Sequence, residues 1–314
     1  MKKKLWFFLK LGLGLGLLTY FIITSDPQKI IDSLVTTDLL LAMAAFSLHL
    51  TGLWIKSMRW NVLLKENDAS YSVIELIKFN LVSNFFNLFL PTRFGGDIVR
   101  ITDTRTINKG ISASAAIVFI ERVSGIFILI IFALAASLIR MDFVKELPIV
   151  WIVSVLGFLG MVFMYGLFKI VPENYFSEFN IRFEFGKKLL NKLDTFNQIV
   201  KSNLFSKVLV LKVFAWGLLL QLNVIVHYYL IGLSLGMTIP FIDYFLIISI
   251  YLIALSIPLT PNGVGIRELV LIHFFTSYGF KNGNAIAVAF SALDMLFALM
   301  LGVFGWMIYV TRKK

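Results

Sequence analysis

Cysteine is missing from all 314 residues. Its absence excludes disulfides, iron–sulfur ligation and thiol catalysis, and leaves the redox compartment open. Histidine is nearly as rare: His49, His227 and His273 are the three imidazoles of the chain. They fall on separate segments without metal-ligand spacing, so no structural metal is expected. No Walker-type loop occurs, which argues against direct ATP drive, and no other cofactor is implied. No set of nucleophile, base and orienter is recognisable, so no catalytic residue is assigned. Charge is scarce too, at 15% of the chain.

What is present is apolar. Hydrophobic residues make up 59% of the chain and mean hydropathy is +0.86, with several runs approaching the roughly 20 residues that span a bilayer. The composition predicts an all-α polytopic membrane protein without a second, soluble domain. A net charge of +11 and a pI near 9.7 are compatible with a nucleic-acid partner. The basic residues flank hydrophobic runs, however, so topology explains them better and no nucleic acid is expected. Residues 1–24 resemble a signal peptide in charge and apolarity, but no small-x-small site closes them. An uncleaved first helix is expected there, with Gly12 and Gly16 as a close-packing pair.

Hydropathy predicts six spans, at 5–24, 39–60, 113–139, 147–171, 208–235 and 285–310. Two further apolar regions, 73–110 and 241–280, are each broken near the middle and read as re-entrant helical hairpins. With six spans and two hairpins, the basic clusters gather on one side: Lys2 to Lys4, Lys56 with Arg59 and Lys65, Arg93 to Lys109, Lys169 to Lys207, and Arg312 to Lys314. Cytoplasmic loops collect such residues, so both termini are expected inside. The expected organisation is a single membrane domain, 1–314. Its first half, 39–139, holds hairpin 73–110, its connector is 140–207, and its second half, 208–310, holds hairpin 241–280. The connecting helix 147–171 reverses the second half, which is the layout of an inverted repeat. In the connector, Leu189, Leu193, Phe196 and Val200 recur at helical spacing and predict an amphipathic helix on the inner surface.

The two breaks share one pattern. Pro91, Gly96 and Arg100 match Pro258, Gly263 and Arg267 as P-x4-G-x3-R. Helix breakers and arginines inside apolar runs are costly, and in a bilayer they mark substrate sites. Gly95 and Gly96 permit a tight turn with close backbone approach, and a helix restarting near Asp97 offers unsatisfied N–H groups to phosphate. Arg93 and Arg100 add guanidinium forks that suit phosphate. Gly263, Gly265, Arg267 and the adjoining Glu268 supply the matching cradle. Two alternatives stay open: Arg93 and Arg100 as snorkelling anchors of a cytoplasmic loop, and Asp97 as a helix cap that also pairs with Arg100. Glu121 and Arg122 lie deep in a span and need partners. Glu268 with Arg122, and Glu121 with Arg100 or Arg267, are the expected pairs. Asp294, His49 and His227 also lie in spans, where each serves either a proton relay or an interior hydrogen bond. Asn80, Asn84 and Asn87 form one polar stripe, facing either a hydrated cavity or a neighbouring helix.

Four motifs in this order carry a family resemblance: Arg59-Trp60; Asn87 to Pro91 followed by Gly95-Gly96-Asp97 and Arg100; Glu121-Arg122 with Gly125; and Pro258, Pro261, Gly263, Gly265, Arg267 and Glu268. The chain resembles the lysylphosphatidylglycerol synthase/flippase transmembrane domain family along nearly its whole length. Well-understood members join this domain to a cytoplasmic aminoacyl-lipid synthase, and the membrane part moves the modified lipid between leaflets. Others resemble archaeal proteins with a dolichol-linked glycosyltransferase. Both catalytic modules are missing from this sequence, so the resemblance implies a stand-alone lipid-handling domain of a prokaryotic inner membrane. The expected activity is flipping of an anionic phospholipid or polyprenyl-phosphate lipid, without catalysis. The alternatives are a non-catalytic partner of a separate synthase or glycosyltransferase, and an intramembrane lipid transferase.

Overall fold

The computed structural model describes residues 16, 19–21, 23, 27–89, 95–104, 110–145, 147–177, 183–257, 260–280 and 282–312. Arg93, Pro91, Pro258 and most of the first expected helix lie outside the described residues. The described chain is helical, with no strand. Its α-helices are α1 (Pro27–Val35), α2 (Leu39–Glu66), α3 (Val73–Phe89), α4 (Gly95–Asp103), α5 (Gly110–Ile139), α6 (Met141–Val144), α7 (Pro148–Ile170), α8 (Glu184–Phe205), α9 (Lys207–Ser234), α10 (Phe241–Ser256), α11 (Ile266–Ser277) and α12 (Gly283–Thr311). A short 3-10 turn, Pro261–Gly263, precedes α11.

Five of these helices are long and apolar enough to cross a membrane: α2, α5, α7, α9 and α12. They coincide with the second to sixth expected spans, and the chain is a multi-pass membrane protein. Local chemistry sets their ends. Asp38 caps α2 by accepting from the Leu41 amide at 3.1 Å, which removes one orphan donor of the first turn. Ser72 and Glu75 form a reciprocal capping box at α3, with the Ser72 amide 2.8 Å from Glu75 Oε2 and the Glu75 amide 3.2 Å from Ser72 Oγ. Glu75 is exposed, and these bonds from Ser72 hold its carboxyl below the usual carboxylate range.

Packing joins helices that are far apart in the sequence. Helix α2 runs against α9, α3 against α12, and α10 against α5. Lipid tails are as apolar as leucine, so such contacts depend on close approach and polar pairing rather than on burial from water. Glycine provides the approach along α3 and α12: a Cβ at Gly305 would overlap the Leu81 carbonyl oxygen, and one at Gly302 the Leu88 side chain. The main core surrounds Tyr228, Ile231, Tyr244, Ile247, Tyr251 and Phe290. A second cluster gathers Trp60, Leu63, Ala116, Ile117, Ile199 and Val200 where α2, α5, α8 and α9 meet.

Two sequence expectations change here. The connector helix α8 docks its C-terminal half on α5, burying Ile199 and Val200, while Leu189 and Leu193 stay exposed. Asp194 fastens the preceding loop by accepting from the Phe176 and Ser177 amides at 2.9 and 2.8 Å. The connector is therefore packed on the bundle as well as amphipathic. Arg59 and Arg100, counted among surface-flanking charges, are only 2% and 1% exposed. Helix α2 continues to Glu66, which places Lys56 and Arg59 inside it rather than at its border.

Candidate functional site

A cavity of about 410 Å³ opens between α2, α3, α5, α9, α10, α11 and α12. Lys56, Arg59, Arg122 and Arg267 line it with Glu121 and Asp294, and polar amides of Asn84, Asn87, Gln221, Asn223 and Asn262 complete its wall. Four cations face two carboxylates in this lining, so the cavity favours an anion. On the other face of α5 lies an apolar cavity of about 340 Å³, lined by Phe119, Phe127, Phe158, Met161, Phe168 and neighbours.

The first motif builds one ionic cluster. Arg100, on α4, pairs with Glu121 of α5 and lies 3.5 Å from Asp97. Its guanidinium carbon sits 4.0 Å above the Trp60 ring, a cation–π contact. Asp97 also pairs with Arg122 of α5, so two carboxylates and two guanidinium groups alternate. The last member of the cluster, Arg59 of α2, donates to the Glu121 carbonyl oxygen at 2.7 Å and to Ser124. Charges at this depth persist because each has a partner; removing one partner leaves the other uncompensated. Gly96 makes the cluster possible by letting α4 lie on α3. Its amide donates to Asn87 Oδ1 at 2.8 Å, and a Cβ there would overlap the Ser83 carbonyl and hydroxyl.

The second motif is arranged differently. Asn262, Gly263 and Gly265 have φ of 49°, 74° and 85°, left-handed values that glycine adopts at little cost. Arg267 folds back to donate to the Asn262 carbonyl oxygen, and its Nη1 lies 3.7 Å from Asp294 Oδ2. Its Nε and Nη1 are buried without a hydrogen bond. Glu268 turns away: it accepts from the Gly265 amide at 2.7 Å and from the Ser291 hydroxyl. Asp294 of α12 also faces two histidines, with His49 Nε2 at 4.0 Å and His227 Nε2 at 3.8 Å from its Oδ1.

Several expectations resolve on this geometry. Glu121 does pair with Arg100, whereas Arg122 takes Asp97 rather than Glu268, which serves the α11 terminus. Arg100 is absent from the cavity lining and Arg267 is part of it. The amides of Gly96 and Gly265 are satisfied by Asn87 and Glu268, so these two do not form a free backbone cradle for phosphate. Asn84 and Asn87 line the cavity, while Asn80 donates to Ser57 at 3.0 Å. His273 belongs to none of this. The sequence reading missed Lys56 and Arg59 as site residues because it assigned them to a surface; a lysine and an arginine three residues apart within one apolar helix were the signal. It also missed that His49 and His227, 178 positions apart in the sequence, converge on Asp294.

Comparison with known proteins agrees with the motif resemblance. The chain is 23% identical to a UPF0104 membrane protein of Pyrococcus horikoshii across 94% of its own length and 93% of that protein's. No solved structure matches it. The family described as the lysylphosphatidylglycerol synthase TM region matches residues 7–305. With nearly the whole chain inside that match, and with Arg59, Asn87, Glu121, Arg122, Gly125 and Arg267 of the four motifs lining one polar cavity, this is a member of the lysylphosphatidylglycerol synthase transmembrane-region family.

Proposed function

We propose that the protein moves an anionic lipid, of phospholipid or polyprenyl-phosphate type, between leaflets by passing its headgroup through the cationic cavity. The observation that carries this reading is the charge of the lining: Lys56, Arg59, Arg122 and Arg267 exceed Glu121 and Asp294 inside a bundle of apolar helices. Arg122, 30% exposed, and Arg267 are assigned to the phosphate, with Lys56 alongside. Arg100, Asp97 and Glu121 hold Arg122 in place, while Gly95, Gly96, Gly263, Gly265 and Glu268 shape the two loops. Arg93 guides headgroups from the inner leaflet. The apolar cavity across α5 suits acyl chains, and no chemical change to the lipid is required.

The hairpin lengths support re-entry. At 1.5 Å per residue, the 17 residues of α3 and the 16 of α10 reach about 26 and 24 Å, short of the roughly 30 Å hydrocarbon core. The exchanged packing of α3 on α12 and α10 on α5 is what an inverted repeat produces, and rocking of the halves would expose the cavity to each leaflet in turn. The setting is a prokaryotic inner membrane with both termini in the cytoplasm, beside any separate lipid synthase or glycosyltransferase that supplies the cargo.

The test is a leaflet-resolved assay in proteoliposomes across a panel of fluorescent anionic, zwitterionic and aminoacylated lipids. Translocation of anionic lipids, unchanged chemically and lost in Arg122→Ala and Arg267→Ala, is the expected result. New lipid products would replace this reading with a transferase, and activity unchanged in both variants would remove the cavity from it. For topology, Asn282→Cys in this cysteine-free chain should be labelled from outside, and Asn191→Cys from the cytoplasm.

A further inference from the structure

Three helices bring His49, His227 and Asp294 together beside Arg267, and the hydrogen bonding of His227 fixes what belongs between them. Its Nδ1 lies 2.8 Å from the Ala45 carbonyl oxygen. A carbonyl only accepts, so Nδ1 carries a proton. In a neutral ring Nε2 then holds a lone pair, and it points at Asp294 Oδ1 from 3.8 Å. His227 is 4% exposed, and this nitrogen is buried without a hydrogen bond. His49 Nε2, equally without one, stands 4.0 Å from the same oxygen, the two rings meeting edge to face at 4.3 Å. The His227 lone pair and the carboxylate oxygen it faces repel each other unless a cation lies between.

The remaining groups around Asp294 complete the account. Tyr251 of α10 donates to Oδ2 at 3.4 Å, and Arg267 of α11 stands 3.7 Å from it. Tyr228 of α9 meets Tyr251 edge to face, and Glu268 adjoins Arg267 on α11. A divalent metal would add two charges next to Arg267 in a cavity already lined by Lys56, Arg59 and Arg122. A proton adds one, and a shift of about 1 Å turns the His227–Asp294 contact into a charge-assisted hydrogen bond.

We infer that His227 and Asp294 form a proton-binding site that couples proton movement to anion movement through Arg267. The proton enters on Nε2 of His227 and no other bond changes. With His227 neutral, Asp294 is the counter-ion of Arg267. Once protonated, His227 draws Asp294 to itself, and the Nε and Nη1 donors of Arg267 turn to the anion in the cavity. Proton and anion thereby raise each other's affinity reciprocally, by roughly 5- to 150-fold for couplings of ordinary size. The cargo in this scheme rests on the lipid reading above; the proton site does not.

The test uses the full chain and two independent readouts. In nanodiscs, nitrogen NMR of ¹⁵N-histidine-labelled protein should show His227 as the Nδ1–H form at high pH, with Nε2 taking up a proton as pH falls. His227→Asn keeps a donor for Ala45 and should lack that signal while eluting and unfolding like wild type. In liposomes carrying fluorescent phosphatidylglycerol and an internal pH dye, acid on the entry side should speed translocation at least fivefold and move protons with the lipid. Asp294→Asn should abolish both effects. Translocation indifferent to pH and without proton movement overturns the coupling, as does a stoichiometric metal in purified protein that His227→Asn loses. Normal His227 titration with no translocation of any lipid overturns the cargo reading and upholds the proton site.

Discussion

Arg100 and Arg267 stand at the same step of a repeated motif, yet their surroundings differ. Arg100 is enclosed by Glu121, Asp97 and the Trp60 ring, outside the cavity. Arg267 lines the cavity, holds one backbone carbonyl, and keeps its nearest carboxylate at 3.7 Å. The acidic partner comes each time from the next long helix, Glu121 on α5 and Asp294 on α12. At the first motif that partner closes the arginine off, and at the second it is shared with two histidines. One motif is thus locked and the other is left with charge to rearrange.

Mutation can break or sharpen this contrast. Glu121→Ala should have the largest effect, about 3–5 kcal/mol of destabilisation, because it leaves Arg100 buried beside Asp97 alone; Asp294→Ala should cost clearly less. Unfolding temperatures of the two in one detergent check this, and equal losses would erase the distinction. Arg267→Ala should lower anionic-lipid translocation roughly tenfold or more, in line with loss of a charged hydrogen bond, while unfolding near the wild-type temperature. Arg100→Ala should do the reverse, failing first in stability.

Glycine tests follow at smaller scale. Gly96→Ala should destabilise by about 1–3 kcal/mol through overpacking against Ser83. Gly263→Ala should cost about 1–2 kcal/mol, since a Cβ at φ 74° is strained and would meet Leu255. Denaturant unfolding of both variants in matched micelles measures the difference. The smallest effect belongs to Glu75. Its carboxyl is held low by Ser72, so its contribution is present above the unfolded-state pKa and lost as pH falls through the folded value. Acid titration of stability should lose about 0.3 kcal/mol there, an exposed-group effect, and Glu75→Gln should flatten it.

The helices and the special standing of Arg100 and Arg267 were legible because apolar runs, breaks and deep charges are local features of the chain. Glu121 with Arg100 was legible as well, since a deep carboxylate requires a cation and few were on offer. The choice of Asp97 over Glu268 by Arg122 was not. It depends on how closely Gly96 lets α4 approach, which is a property of backbones in space. The meeting of His49 and His227 at Asp294 was equally hidden, because no periodicity records which faces of α2, α9 and α12 meet. Lys56 and Arg59 were misread because α2 runs on past the point where hydropathy falls.

The seam between α3 and α12 has a consequence for how the protein is made. Gly302 and Gly305 receive Leu81, Phe85 and Leu88 of α3, and they leave the ribosome long after that helix. Roughly 200 residues of chain lie between, or about 10 to 40 seconds at ordinary rates of synthesis. Through that interval α3 has no closing face, and Asn80, Asn84 and Asn87 wait in a half-built bundle. The nascent protein therefore depends, for that time, on lipid or an insertion factor to shelter a helix that α12 will later cover.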